Sequence, residues 1–135
     1  MTAARVRLRI DFGPSVSLGP GKIALLEAIG ATGSLSDAAR QLAMSYRRAW
    51  LLLAEINKSF AARATLSAVG GNGGGGMRVT AFGRRLISHY RDFECAVEAM
   101  GARRFAGIAA GVAHQKPARK LRAPRPLKRR GATPH

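Results

Sequence analysis

A mainly α fold with a small β-hairpin is what this sequence predicts, and three observations carry the prediction. Apolar residues recur every three or four positions in successive stretches between residues 20 and 57. The run from Gly70 to Gly76 is all glycine except Asn72. Beyond it, residues 81–105 hold one continuous apolar stripe. A period near 3.6 marks amphipathic helices, and a glycine tract between two short β-prone runs marks a hairpin tip.

The elements follow in order. Residues 5–12 alternate, with Val6, Leu8, Ile10 and Phe12 on one side and Arg5, Arg7, Arg9 and Asp11 on the other. That is the period of a half-buried strand, closed by Gly13 and Pro14. Gly19, Pro20 and Gly21 lead into a helix carrying Ile23, Leu26 and Ile29, ended by the glycine at Gly30 or at Gly33.

From Ser34 to Asn57 the chain reads as two short helices joined by a tight turn. Leu35, Ala38, Ala39 and Leu42 form the apolar face of the first, while Asp37, Arg40 and Gln41 point away from it. Ser34 stands where an N-cap belongs, and small Ala39 lets the second helix cross closely. Met44 is expected to plug the angle between the helices, with Ala49 and Leu52 continuing the buried side. Ala43 occupies a turn position where a glycine with positive φ is common, a mild strain for alanine. Trp50, Leu53 and Ile56 are read as one core face, Trp50 anchoring the helix rather than making contacts. Leu51 and Leu52 widen the arc, so the helix is expected to be covered on more than one side.

Ser45 is a plausible cap for the second helix, whose first turn then exposes Tyr46, Arg47 and Arg48. Such a pair is a helix-turn-helix, in which the second helix enters a major groove of DNA by its opening turn. Arginine can bond two acceptors of guanine, and Ser45 and Tyr46 can reach bases or phosphates. The start of the first helix, at Ser34 and Ser36, is expected to add a phosphate contact through backbone amides.

After a basic break at Arg63 come a short strand, the glycine tract and a second short strand. A hairpin behind a recognition helix is a wing, and Asn72, Gly73 and Arg78 are its expected contacts to DNA. Thr80 then caps a long helix, about 81–105, striped by Phe82, Leu86, Tyr90, Phe93, Val97 and Met100. Of these, Leu86, Tyr90, Phe93, Val97 and Met100 are expected to form a dimer seam between two copies of the helix. The fold is therefore expected to be a winged helix-turn-helix with a long C-terminal dimerisation helix, occupying residues 1–105.

Residues 106–135 are read as a basic, proline-rich disordered tail, most marked from Lys116, where 20 residues hold eight Lys or Arg and no acid. The whole chain of 135 residues carries 23 Lys and Arg against 7 Asp and Glu, a formal charge of +16. A polyanion is the partner this charge favours. No apolar run approaches the roughly 20 residues that span a bilayer, so no membrane segment is expected. The opening residues lack the continuous apolar core of a secretory signal, which points to a cytoplasmic, nucleoid-associated location. The single Cys95, among apolar helical positions, is read as a buried structural thiol.

The text LLEAIGATGSLSDAAR, then AMSYRRAWLLLAEIN, then GGNGGGGMRVTAFGRRLISHY, resembles the N-terminal DNA-binding domain of the ModE-type molybdate-responsive transcriptional regulators, winged-helix relatives of the LysR-type regulators. The likeness spans roughly Gly19 to Glu94. It implies a winged helix, a dimer as the working unit, and DNA contacts at Ser45 to Arg48 and around Asn72. Full-length members of that family continue into a pair of small β-barrel domains that bind molybdate. No such module is visible here, so molybdate sensing is not carried over.

Enzyme chemistry finds no constellation. Gly71, Gly73 and Gly76 formally spell a dinucleotide-loop pattern, but a strand follows them instead of the helix such a loop must open. His89 and Asp92 lack the further ligands of a metal site, and Ser45 lacks a base. No cofactor and no metal are expected. The reading is a dimeric, sequence-specific regulator bound to double-stranded DNA. Its alternatives are an architectural, nucleoid-like DNA binder with little sequence preference, and a module that pairs with a full-length relative.

Overall fold

A computed structural model describes residues 3–68 and 76–113. The element order is β1 (Ile10–Asp11), β2 (Ser17–Leu18), α1 (Pro20–Thr32), α2 (Leu35–Gln41), α3 (Tyr46–Ser59), β3 (Thr65–Ala68), β4 (Gly76–Val79), α4 (Ala81–Arg104) and α5 (Ala106–Ala110). Each strand pair is antiparallel: Ile10 faces Leu18 in the first hairpin, and Thr65 faces Val79 in the second. The architecture is a mainly α winged helix with a long C-terminal helix.

Helix α1 sits at the centre. Pro20 opens it, where a missing N–H costs nothing, and Gly33 closes it at φ 77° while donating its N–H to the Ile29 carbonyl at 2.8 Å. Ile23, Leu25, Leu26, Ala28 and Ile29 are all buried, so α1 is covered on more than one side. It packs against α2, α3, α4 and β4. Leu25, Leu26 and Ile29 share one core with Leu35, Ala38 and Ala39 of α2, and with Ala49, Leu53 and Ile56 of α3. Truncating any one of the fully buried leucines to alanine costs about 2–5 kcal/mol on general grounds.

The N-terminal strand is shorter than the alternation suggests. Only Ile10 and Asp11 pair, because the segment before them runs beside α4, which offers no strand edge: the Tyr90 hydroxyl donates to the Leu8 carbonyl at 2.7 Å. The burial alternation survives the missing ladder, with Val6, Leu8 and Ile10 half-buried and Arg5, Arg7 and Arg9 exposed. The turn at Gly13 leads into β2, so a first hairpin forms where a single strand was expected, and Phe12 is exposed rather than buried. Phe12 meets Phe60 edge-on at 5.8 Å, and Phe60 meets Phe82 at 5.6 Å.

Three further expectations are corrected. Trp50 is 53% exposed and Leu51 is also exposed, so among the described residues α3 is covered along one face only. At about 100° per residue, the buried set Ala49, Leu53 and Ile56 centres a quarter-turn from Trp50, which falls at the edge of that stripe. Cys95 is exposed rather than buried. Ala106–Ala110, assigned to the tail, forms the short helix α5; residues 114–135, which hold the basic tail proper, lie outside the described residues.

The stripe on α4 divides in two. Phe82 and Leu86 pack on the chain's own cores, and Tyr90 is only 1% exposed within them, so these residues serve the protomer and not an open seam. Phe93 and Met100 are exposed, Val97 is half-buried, and Phe105 and Ile108 extend the exposed apolar surface. Burial pushes the Tyr90 hydroxyl above its ordinary range, and Glu94 adds to this while Arg91 and Arg7 oppose it. Arg91 forks onto Glu27 at 2.7 and 3.2 Å and reaches Glu94 at 2.7 Å, tying α4 to α1. Those hydrogen bonds, Glu27 first, hold Arg91 charged beyond the usual arginine range.

Among the described residues, no helix is long and apolar enough to cross a membrane, and no cluster of His, Cys, Asp or Glu is arranged to hold a metal ion.

Candidate nucleic-acid interface

Two serine caps set the helix-turn-helix. Ser34 Oγ accepts from the Asp37 amide at 3.0 Å and Ser45 Oγ from the Arg48 amide at 3.1 Å. Each satisfies an amide that the first turn of a helix leaves without a partner. Between them Ala43 takes φ 53°, the left-handed conformation expected of that turn, and its amide donates to the Arg40 carbonyl at 3.1 Å. Met44, half-buried, donates its amide to the Ala39 carbonyl at 3.0 Å and packs on the shared core.

These restraints present the opening of α3 to solvent. Ser45, Tyr46, Arg47 and Arg48 are all exposed, Tyr46 by 55%, and the first turn contains no acid. Ser45 uses a lone pair for the cap and keeps its hydroxyl hydrogen for an outside acceptor. Ser36 is exposed and Ser34 half-buried, but Asp37, in ion pair with Arg40 at 2.6 Å, places a negative charge in the same turn of α2. The one acid on α3, Glu55, lies 3.3 Å from the Lys22 ammonium, which also donates to the Ser17 carbonyl at 2.8 Å.

The β3–β4 hairpin is bolted to α3 through Asn57. Its Oδ1 accepts from the amides of Ala64 at 2.8 Å and Thr65 at 3.3 Å, and its Nδ2 donates to Thr65 Oγ1 at 3.0 Å. Thr80 secures the other strand: its hydroxyl donates to the Arg63 carbonyl at 2.6 Å and its amide to the Ala64 carbonyl at 2.9 Å. The Met77 amide donates to the Gly33 carbonyl at 2.7 Å, which pins β4 to the turn after α1. Gly83 is required where α4 crosses this junction, since a Cβ there would fall 2.6 Å from Val79 Cγ1 and on top of the Ala64 carbonyl oxygen.

Between α3 and the wing lies an open groove of about 450 Å³. Tyr46, Trp50, Ala54, Asn57 and Lys58 of α3 form one wall, and Arg63, Thr65 and Ser67 the other. Among the described residues, its lining includes two cations and no acid. Arg78 is exposed on β4, opposite Leu66. Asn72 and Gly73 lie outside the described residues.

The structure thus brings Tyr46 of the predicted set together with Trp50, expected to anchor the core, and with Lys58, Arg63 and Ser67, for which no contact was expected. Spacing held the missing signal. Tyr46, Trp50, Ala54 and Asn57 recur at three and four, tracing a second helical stripe beside the buried one. The Trp in that stripe resembles core by type alone.

No protein-family model matches the chain. It is 42% identical over 80 residues to the molybdenum-pterin-binding protein MopB of Rhodobacter capsulatus, covering 59% of this chain and 30% of that protein. It is 35% identical over 96 residues to the molybdenum transport protein ModE of Azotobacter vinelandii, covering 70% and 36% respectively. With the DNA-binding transcriptional dual regulator ModE of Escherichia coli the identity is 34% over 87 residues, or 64% of this chain and 33% of the relative. The chain spans about a third of the length of these relatives. Across the residues matched, this chain is homologous to the ModE-type regulators.

Proposed function

We propose that this chain binds double-stranded DNA in a sequence-specific manner as part of a transcriptional regulator acting in the cytoplasm. The observation that carries this reading is the exposed, acid-free opening of α3, with Arg47 and Arg48 beside Ser45 and Tyr46, held at a fixed junction with the wing. A rigid helix end that presents two guanidinium groups and two hydroxyls matches the acceptor-rich edges of a major groove. The Escherichia coli relative is a DNA-binding transcriptional regulator, which supports the same reading.

The working unit in this reading is a homodimer. Phe93, Val97 and Met100 of α4, with Phe105 and Ile108 beyond it, supply the apolar surface, and two recognition helices then read successive major grooves about 34 Å apart. Arg47 and Arg48 read base edges, Ser45 and Tyr46 set the register, and the wing with Arg78 grips flanking backbone. The start of α2 at Ser34 and Ser36 adds an amide contact to phosphate.

Selection of duplexes from a random DNA pool by the full chain tests the proposal. A recurrent motif arranged as an inverted repeat is the expected outcome. A pool that stays random while still being retained by the protein would contradict it and favour an architectural DNA binder.

A further inference from the structure

We propose that the groove between α3 and the wing seats one sugar-phosphate strand of the bound duplex, with Lys58, Arg63 and Ser67 on its phosphates and Trp50 packed on deoxyribose. This rests on the DNA-binding reading above and assigns to Trp50 a contact that carries no sequence information.

The groove's chemistry argues for this occupant. The exposed polar residues that line it are Tyr46, Lys58, Arg63 and Ser67, each carrying an ammonium, guanidinium or hydroxyl able to donate to phosphate oxygens. No carboxylate lines it, and the nearby Glu55 is drawn to Lys22. Thr65 also lines the groove but is buried and accepts from Asn57, so it serves as floor. Arg63 Nε donates to the Thr65 carbonyl at 3.4 Å, which holds its guanidinium along the wing strand.

Trp50 stands in this polar lining with half its surface exposed. A large apolar ring beside cations suits the alternation of a nucleic-acid backbone, where apolar sugar separates charged phosphates. Its position on α3 agrees. Arg47 projects from the side of the helix opposite the buried stripe, whereas Trp50 lies on the flank that faces β3. A helix lying in a major groove meets base edges with its opening turn and outer side, and beyond that turn its flank meets the strand that borders the groove.

Trp50 is the single tryptophan of the chain, so its fluorescence reports on this groove directly. Acrylamide quenching is measured for the full chain alone and saturated with either a selected duplex or an unrelated one, with retardation in a gel confirming occupancy. Shielding of Trp50 by several-fold with both duplexes is expected. Shielding with the selected duplex alone would overturn the proposal, since Trp50 would then follow the bases. Unchanged quenching in a retarded complex would overturn it too, while leaving DNA binding intact; failure of any duplex to bind would instead remove the DNA-binding reading.

A second arm uses the exposed cations. In the Lys58→Gln, Arg63→Gln double variant, the slope of log K against log salt should fall by about 2, roughly one for each phosphate contact, on both duplexes. An unchanged slope in a variant with wild-type thermal unfolding would refute the seat.

Discussion

Asn57, in the last turn of α3, and Thr65, the first residue of the wing strand, are joined through both ends of the Asn57 amide: Oδ1 accepts from the Thr65 amide and Nδ2 donates to its Oγ1 at 3.0 Å. The same oxygen takes the Ala64 amide at 2.8 Å. One side chain therefore ties β3 to the last turn of α3, and the buried Thr65 hydroxyl has its partner inside the protein.

Asn57→Ala leaves the Ala64 and Thr65 amides without their acceptor. A loss of about 1–3 kcal/mol in unfolding free energy is expected, as for buried donors left unpaired. DNA affinity should fall more than Arg78→Ala lowers it, since β3 loses the side chain that ties it to α3. Urea unfolding and gel-shift titration measure the two effects; wild-type values for both would remove the clamp.

Gly83→Ala should destabilise the fold by about 1–3 kcal/mol, the range for a group forced into a packed site. The added methyl meets the Ala64 carbonyl, which is backbone, and Val79, which is core. Neither can yield without moving the wing. An unshifted denaturation midpoint would contradict this.

Tyr90 gives the fold a dependence on alkaline pH. Burial raises its folded pKa, so the unfolded chain, titrating near about 10, releases the proton first. Its contribution is complete below that pH and is lost as pH rises through 10 toward the folded value. Tyr90→Phe should remove this alkaline decline while costing about 1 kcal/mol near neutrality through the lost bond to Leu8. Unfolding at pH 8 and pH 11 checks both; parallel declines in the two proteins would refute the assignment.

Removing residues 116–135 takes away eight of the 23 basic side chains. The salt dependence of DNA binding should become shallower while the preferred site stays the same, because cations bound to phosphate carry no base preference. A changed site on renewed selection would show that the segment reads sequence.

The helices were legible because their ends are marked by chemistry that acts locally. Pro20 and Gly33 bound α1, Ser34 and Ser45 cap their helices, and the positive φ of Ala43 follows from its place in the turn. Burial in the middle of an element was less legible where one residue could serve two faces. Trp50 lies a quarter-turn from the core stripe, and hydrophobicity alone gave the wrong side. Tyr90 shares the periodic stripe of α4 with exposed Phe93, yet it is buried by the N-terminal segment across it, a contact 82 residues away in sequence. The same tertiary packing left residues 3–9 beside a helix, with alternating burial but no ladder. Asn57, Arg63 and Ser67 became site residues only when β3 folded back beside α3.

The central claim is that the opening turn of α3 reads bases, and the ratio of affinities for a selected and an unrelated duplex, measured by gel shift for the wild-type chain and for Arg48→Ala, tests it most directly. Arg48→Ala should weaken binding to the selected duplex by about 1–3 kcal/mol and binding to the unrelated duplex much less, so the ratio collapses. An equal loss on both duplexes, with the ratio preserved, would contradict the claim and reduce Arg48 to a contact with phosphate.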